Sequence, residues 1–163
     1  MTVPEGSAYG AAVALAAVFT VAAVAKVRDP AGTARGFRAL GVPRPWPAAR
    51  AVPAVEAAVA AALLVVPAVG GTAALTLLAA FSVFLGSRLR AGVTAPCRCF
   101  GGRGGHGLSW ADLGRNLWLA GAAVVATTAA GPTVPSAVAV LLTAAGTIVA
   151  GGSIRLCRWL ATP

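Results

Sequence analysis

Long apolar stretches broken by proline and glycine alternate along the chain with short segments that carry nearly every charge. From Ala8 to Ala25 eighteen residues pass without a charge, and at ~1.5 Å rise per residue that is roughly 27 Å of helix, enough to span a hydrocarbon core. Ala51 to Ser87 is apolar apart from Glu56, and Asn116 to Ile154 holds no charge at all. Each of these two stretches is too long for one crossing. Pro67, Gly70 and Gly71 therefore predict a turn in the first, and Gly131, Pro132 and Pro135 a break in the second. Five membrane helices result, over 8–25, 51–69, 71–87, 113–131 and 134–154. A secretory signal peptide competes for the first of them, because Ala23 and Ala25 are small, but the residues before it include Glu5 and neither Lys nor Arg.

Within the first connection, Asp29 reads as an N-cap, Pro30 as the first helical position and Gly41 as a stop. Ala34, Phe37 and Leu40 then share one face opposite Arg35 and Arg38, which predicts a short helix lying at the membrane interface. Ser109 followed by Asp112 has the spacing of a capping box at the start of the fourth helix. Trp46, Trp110, Trp118 and Trp159 fall near predicted helix ends, where aromatic anchors gather. The fold class expected is all-α, a polytopic helical bundle of four plus one membrane helices forming a single integral membrane domain over 1–163.

Composition strengthens the membrane assignment. With 58% hydrophobic and 10% charged residues among 163, the chain is too apolar for an ordinary soluble domain and the opposite of a disordered one. Three cysteines are too few to staple a mini-protein. The formal charge of +9 would suggest nucleic acid in a soluble protein, but here its placement has a simpler cause. Lys26, Arg28, Arg35, Arg38, Arg44 and Arg50 lie in the first connection. Arg88, Arg90, Arg98, Arg103 and Arg115 lie around the third, and Arg155 and Arg158 follow the last span. Five crossings put all thirteen on one side, which the positive-inside rule makes cytoplasmic, with the N-terminus outside and the C-terminus inside. Nucleic acid is therefore not expected as a partner; the bilayer is.

Candidate chemistry centres on Cys97-Arg98-Cys99, in a loop rich in Pro, Arg and Gly between the third and fourth helices. A disulfide between cysteines one residue apart closes almost no loop and is strained, so it suits redox exchange better than stapling. Arg98 and Arg103 favour the thiolate. One thiolate of Cys97 or Cys99 is expected to attack a partner disulfide and the other to resolve it. Cys157 is open to three uses: resolving a mixed disulfide, accepting a lipid, or packing. Glu56, the one ionisable residue inside a predicted span, needs a partner. Arg115 or Asn116 would supply it in a structural role, and proton transfer is the functional alternative. His106 with Cys97, Cys99 and Cys157 offers a second class of function, a soft Cu(I) or Zn site, although the spacing fits no standard zinc pattern. A third is a non-catalytic accessory subunit of a larger membrane complex. The letters G-x-G-x-x-G from Gly102 to Gly107 carry no weight without a preceding strand.

Lys26-Val27-Arg28-Asp29, Val55-Glu56, Cys97-Arg98-Cys99-Phe100-Gly101 and Arg115-Asn116 together resemble the methylamine-utilisation MauE family within the DoxX-like membrane proteins, over about residues 20–130. The resemblance implies a small helical membrane protein associated with thiol redox, whose founding members are linked to maturation of a disulfide-rich periplasmic dehydrogenase subunit. The charge pattern departs from that picture, since it puts Cys97 and Cys99 on the cytoplasmic side, where thiols are kept reduced. A thioredoxin-like protein, a quinone or a membrane redox partner is then the expected exchange partner of a thiol–disulfide oxidoreductase-like pair.

Overall fold

The computed structural model describes residues 5–93 and 107–131, and these form five helices: α1 Glu5–Arg28, α2 Pro30–Ala39, α3 Pro45–Val65, α4 Pro67–Arg90 and α5 Trp110–Thr127. Three of them, α1, α3 and α4, are long and apolar enough to cross a bilayer. The fourth long helix, α5, carries Asp112 and Arg115 near its start. The predicted helix 134–154, the Cys97–Cys99 string, His106, Cys157 and Trp159 lie outside the described residues. The chain is an all-α membrane bundle, with α1 packed most extensively on α3, and α4 on α5.

The core shows how such a bundle holds together. Leu15, Phe19, Val59, Leu63, Leu78 and Leu119 interdigitate among alanines from α1, α3, α4 and α5. The outward faces are equally apolar: Val21, Val65, Val69, Val83 and Leu117 are all exposed. Such an exterior suits lipid, and with lipid outside there is no hydrophobic drive inward, so close backbone contact must supply the cohesion.

The expected turn between the second and third spans is displaced. Pro67 opens α4 at its first position, where a missing N–H costs nothing, and it forces the residue before it out of the helical region. Val66 accordingly has φ −134° and ψ 78° and is the entire connection. Gly70 and Gly71, expected in the turn, lie buried within α4. A Cβ on Gly70 would come within 2.3 Å of the Leu63 backbone nitrogen, and one on Gly71 within 2.8 Å of that of Thr127. The two glycines thus let α4 touch α3 on one side and α5 on the other.

The start of α3 also moves, from 51 to Pro45. Pro45 and Pro47 sit in its first turn, whose N–H groups have no intrahelical partner, so prolines there do not oppose the helix. Arg50 is therefore helical, as are Lys26 and Arg28 at the end of α1. Trp118, expected near a helix end, lies well inside α5, while Trp46 and Trp110 do sit at helix starts; all three are exposed.

The short second helix matches its sequence signals. The Gly32 N–H donates to Asp29 Oδ1 at 2.8 Å, and the Val42 N–H closes the helix on the Phe37 carbonyl at 2.9 Å around Gly41, whose φ is +78°. Ala34, Phe37 and Leu40 are buried and Arg35 and Arg38 exposed. At the start of α5 the Ser109 N–H donates to Asp112 Oδ2 at 3.0 Å, and the Asp112 N–H returns to the Ser109 carbonyl. Because α1, α3, α4 and α5 alternate in direction, Lys26, Arg28, Arg50, Arg88, Arg90 and Arg115 gather at one end of the bundle.

Gly70→Ala and Gly71→Ala should each destabilise the detergent-solubilised protein by ~1–3 kcal/mol, because each methyl meets backbone that cannot turn aside. Gly86→Ala, with nothing within 4 Å of its Cβ position, should hold or raise the thermal unfolding midpoint, since alanine favours a helix interior over glycine by up to ~1 kcal/mol.

Candidate functional site

At the basic end, just inside the bundle, the buried stripe of α1 changes from apolar to charged. Ala12, Leu15, Phe19 and Ala22 recur at helical spacing, and the next position on that face is Lys26, 2% exposed. On α3 the stripe formed by Leu63, Val59 and Pro53 includes Glu56, 4% exposed. On α5 the equivalent stripe of Ala126, Ala123 and Leu119 reaches Asn116, 6% exposed. Three polar residues thus occupy positions that helical periodicity assigns to the core.

Lys26 and Glu56 face each other directly. Lys26 Nζ donates to Glu56 Oε1 at 2.7 Å and to Oε2 at 2.9 Å, and to the Ala22 carbonyl of its own helix at 3.4 Å. These acceptors match the three N–H groups of an ammonium. The geometry is what a buried ion pair requires, since the attraction must offset the loss of hydration of both charges.

The partner of Glu56 is therefore Lys26, and not Arg115 or Asn116 as its position among the helices suggested. Arg115 Nη2 lies 3.6 Å from Asp112 Oδ1, one turn earlier on α5. Asn116 instead borders the small cavity beside the pair. That cavity, about 30 Å³, is lined by Lys26, Glu56 and Asn116 together with Phe19, Phe37 and Phe81, and is large enough for a water molecule next to polar partners. Phe37 lines it from α2, so that helix packs beside the pair at the basic end.

Lys26 was legible only as one more loop cation. Two signals pointed inward: it continues the α1 stripe, and it is the one lysine among thirteen cations, the other twelve being arginine. The distinction is chemical, because lysine gives up its proton when desolvated and arginine does not. Glu56 and Asn116 were singled out by sequence and are brought together here; Arg115 adjoins them on α5. Cys97, Cys99, His106 and Cys157 fall outside the described residues, and among the described ones no cluster of His, Cys, Asp or Glu could hold a metal. The loop bearing Cys97 and Cys99 does, however, leave from α4 and rejoin the chain before α5, at the basic end.

Buried charge at one end of an alanine-lined bundle defines an integral membrane protein with an internal titratable pair. A model of the family described as methylamine utilisation protein MauE matches residues 5–129, which takes in every described helix and the C-x-C loop. The chain belongs to the MauE family. No curated protein and no solved structure matches it.

Removing one member of the pair leaves the other buried and uncompensated. Lys26→Met or Glu56→Leu alone should destabilise the protein by ~3–5 kcal/mol, whereas the double replacement should come close to wild type or exceed it. Unfolding in detergent, followed by circular dichroism, measures the non-additivity.

Proposed function

We propose that this protein is a membrane thiol–disulfide redox protein acting through Cys97 and Cys99 on a partner protein. The observation that supports it most directly is the Lys26–Glu56 pair. A lysine and a glutamate in contact beside a cavity that admits water can take up or release protons where the bilayer otherwise supplies none. The C-x-C loop is anchored at that same end through α4 and α5.

In the forward direction a thiolate of the pair attacks the partner's disulfide, forms a mixed disulfide and expels one partner thiolate. The second thiolate of the pair then attacks its neighbour in the mixed disulfide and expels the other. Cys97 and Cys99 end as a disulfide, the partner as a dithiol; two electrons have passed to the partner and its two thiolates take up two protons. Run in reverse, the same steps oxidise the partner. Lys26 and Glu56, with Arg115 setting the local charge and Asn116 lining the cavity, would buffer those protons. Cys157 would serve as a further resolving or accessory thiol.

The family's description supports a partner belonging to a methylamine-utilisation system; maturation or redox upkeep of that partner is the task this reading gives the cysteine pair. The gathered basic residues support an orientation with the basic end and the C-x-C loop in the cytoplasm and the N-terminus outside. That orientation favours a thioredoxin-like or membrane-bound exchange partner, with a quinone as the alternative electron acceptor.

Purified full-length protein should show two thiols that oxidise and reduce together in a dithiothreitol redox buffer, and Cys97→Ser or Cys99→Ser should each abolish that couple. Undiminished exchange in both single variants would exclude the mechanism. Stoichiometric bound Cu or Zn with thiols that do not exchange would replace it by a metal-binding module using Cys97, Cys99, His106 and Cys157. Membrane-impermeant alkylation of intact cells should leave both cysteines unlabelled if the proposed orientation holds.

A further inference from the structure

A second space opens on the flank of the bundle. Between α4 on one side and α2, α3 and their connection on the other lies an open groove of about 480 Å³, a volume in the range of small-molecule sites (~300–1,000 Å³). Phe37, Val42, Val52, Leu77, Phe81 and Phe84 form its walls, and Arg88, in the last turn of α4, stands at its basic end. The walls are otherwise apolar. The Arg88 guanidinium lies over the Phe84 ring, 5.2 Å from its centroid, and packs where a Cβ on Gly41 would stand 3.2 Å from Nη1. Its Nε is buried and finds no acceptor among the described residues.

Apolar walls alone would say little in a bilayer, where acyl chains fill any lipid-facing groove with no preference. The head of the groove supplies the selectivity. A half-buried guanidinium at the head of the groove, whose Nε faces no acceptor, suits an anion with oxygens in fork geometry such as phosphate. The exposed cations at the same end, Arg38, Arg44 and Arg90, repel a choline or ethanolamine ammonium and favour a head with net negative charge. The geometry points to a specific site for an anionic phospholipid, its phosphate on Arg88 and one acyl chain lying along Phe37, Phe81 and Phe84.

Phe37 and Phe81 also line the cavity of the Lys26–Glu56 pair. The bound chain therefore backs the wall that separates the pair from the membrane. The site stands apart from the thiol chemistry: it requires only α2, α3 and α4, and holds whether or not Cys97 and Cys99 exchange with a partner.

The test uses full-length protein purified in a neutral detergent, with native mass spectrometry and thermal unfolding as readouts. Phosphatidylglycerol should remain bound through delipidation and raise the unfolding midpoint more than phosphatidylcholine of identical chains. Arg88→Gln should weaken phosphatidylglycerol binding by about tenfold or more, the effect of losing a charged hydrogen bond. Arg35→Gln, on the exposed face of α2, should not. Arg88→Lys should keep part of the preference, showing that the protein folds without the arginine. Equal stabilisation by the two lipids, an Arg88→Gln variant that keeps the preference, protection by inorganic phosphate alone, or stronger protection by a neutral prenyl quinone would each overturn the assignment.

Discussion

An ammonium and a carboxylate buried against each other between α1 and α3 set the terms for the rest of the bundle. Neither charge is tolerable alone at that depth, so the two helices must meet with Lys26 Nζ within hydrogen-bond distance of both Glu56 oxygens. That fixes the axial register of α1 on α3 although thirty residues separate the partners in sequence. The placement of α2 follows, because it joins the two helices and its Phe37 lines the cavity beside the pair. Apolar packing in lipid is permissive about register; a paired charge is not.

The remaining contacts are built from smallness. Alanine at half of the core positions leaves the leucines and Phe19 room to interlock, and Gly70 and Gly71 bring α4 into backbone contact with a different neighbour on each side. The polar features collect at one end: the pair, Asn116, the Asp112–Arg115 contact and the groove headed by Arg88. The opposite end of the described bundle carries Glu5 and a Tyr9 hydroxyl that donates to the Leu64 carbonyl at 3.4 Å. Among the described residues, every cation and every buried polar side chain thus lies toward one end of the bundle, with Glu5 at the other.

Much of this was readable in the chain. The apolar runs gave the helices, Asp29 and Pro30 gave the start of α2 to the residue, and Ser109 with Asp112 gave the start of α5, because each of these is a local signal with a local cause. The family resemblance rested on short strings that the match over 5–129 bears out. Register and contact were less accessible. Pro67, Gly70 and Gly71 look alike as punctuation, yet only the proline breaks the helix; the glycines answer to neighbours at distant sequence positions. Pro45 and Pro47 obscured an early helix start because their tolerance depends on lying within the first turn. Lys26 counts with the loop charges because charge bookkeeping assigns cations to loops, and only the periodicity of α1 and its being the one lysine point inward.

The one-residue connection at Val66 bears on how the protein enters the membrane. Val65, Val66 and Val69 leave that bend exposed and wholly uncharged, so α3 and α4 can be delivered as a prefolded wedge with no polar tip to drag through the hydrocarbon. At that bend a partner would meet only apolar side chains, with no charge to steer its approach.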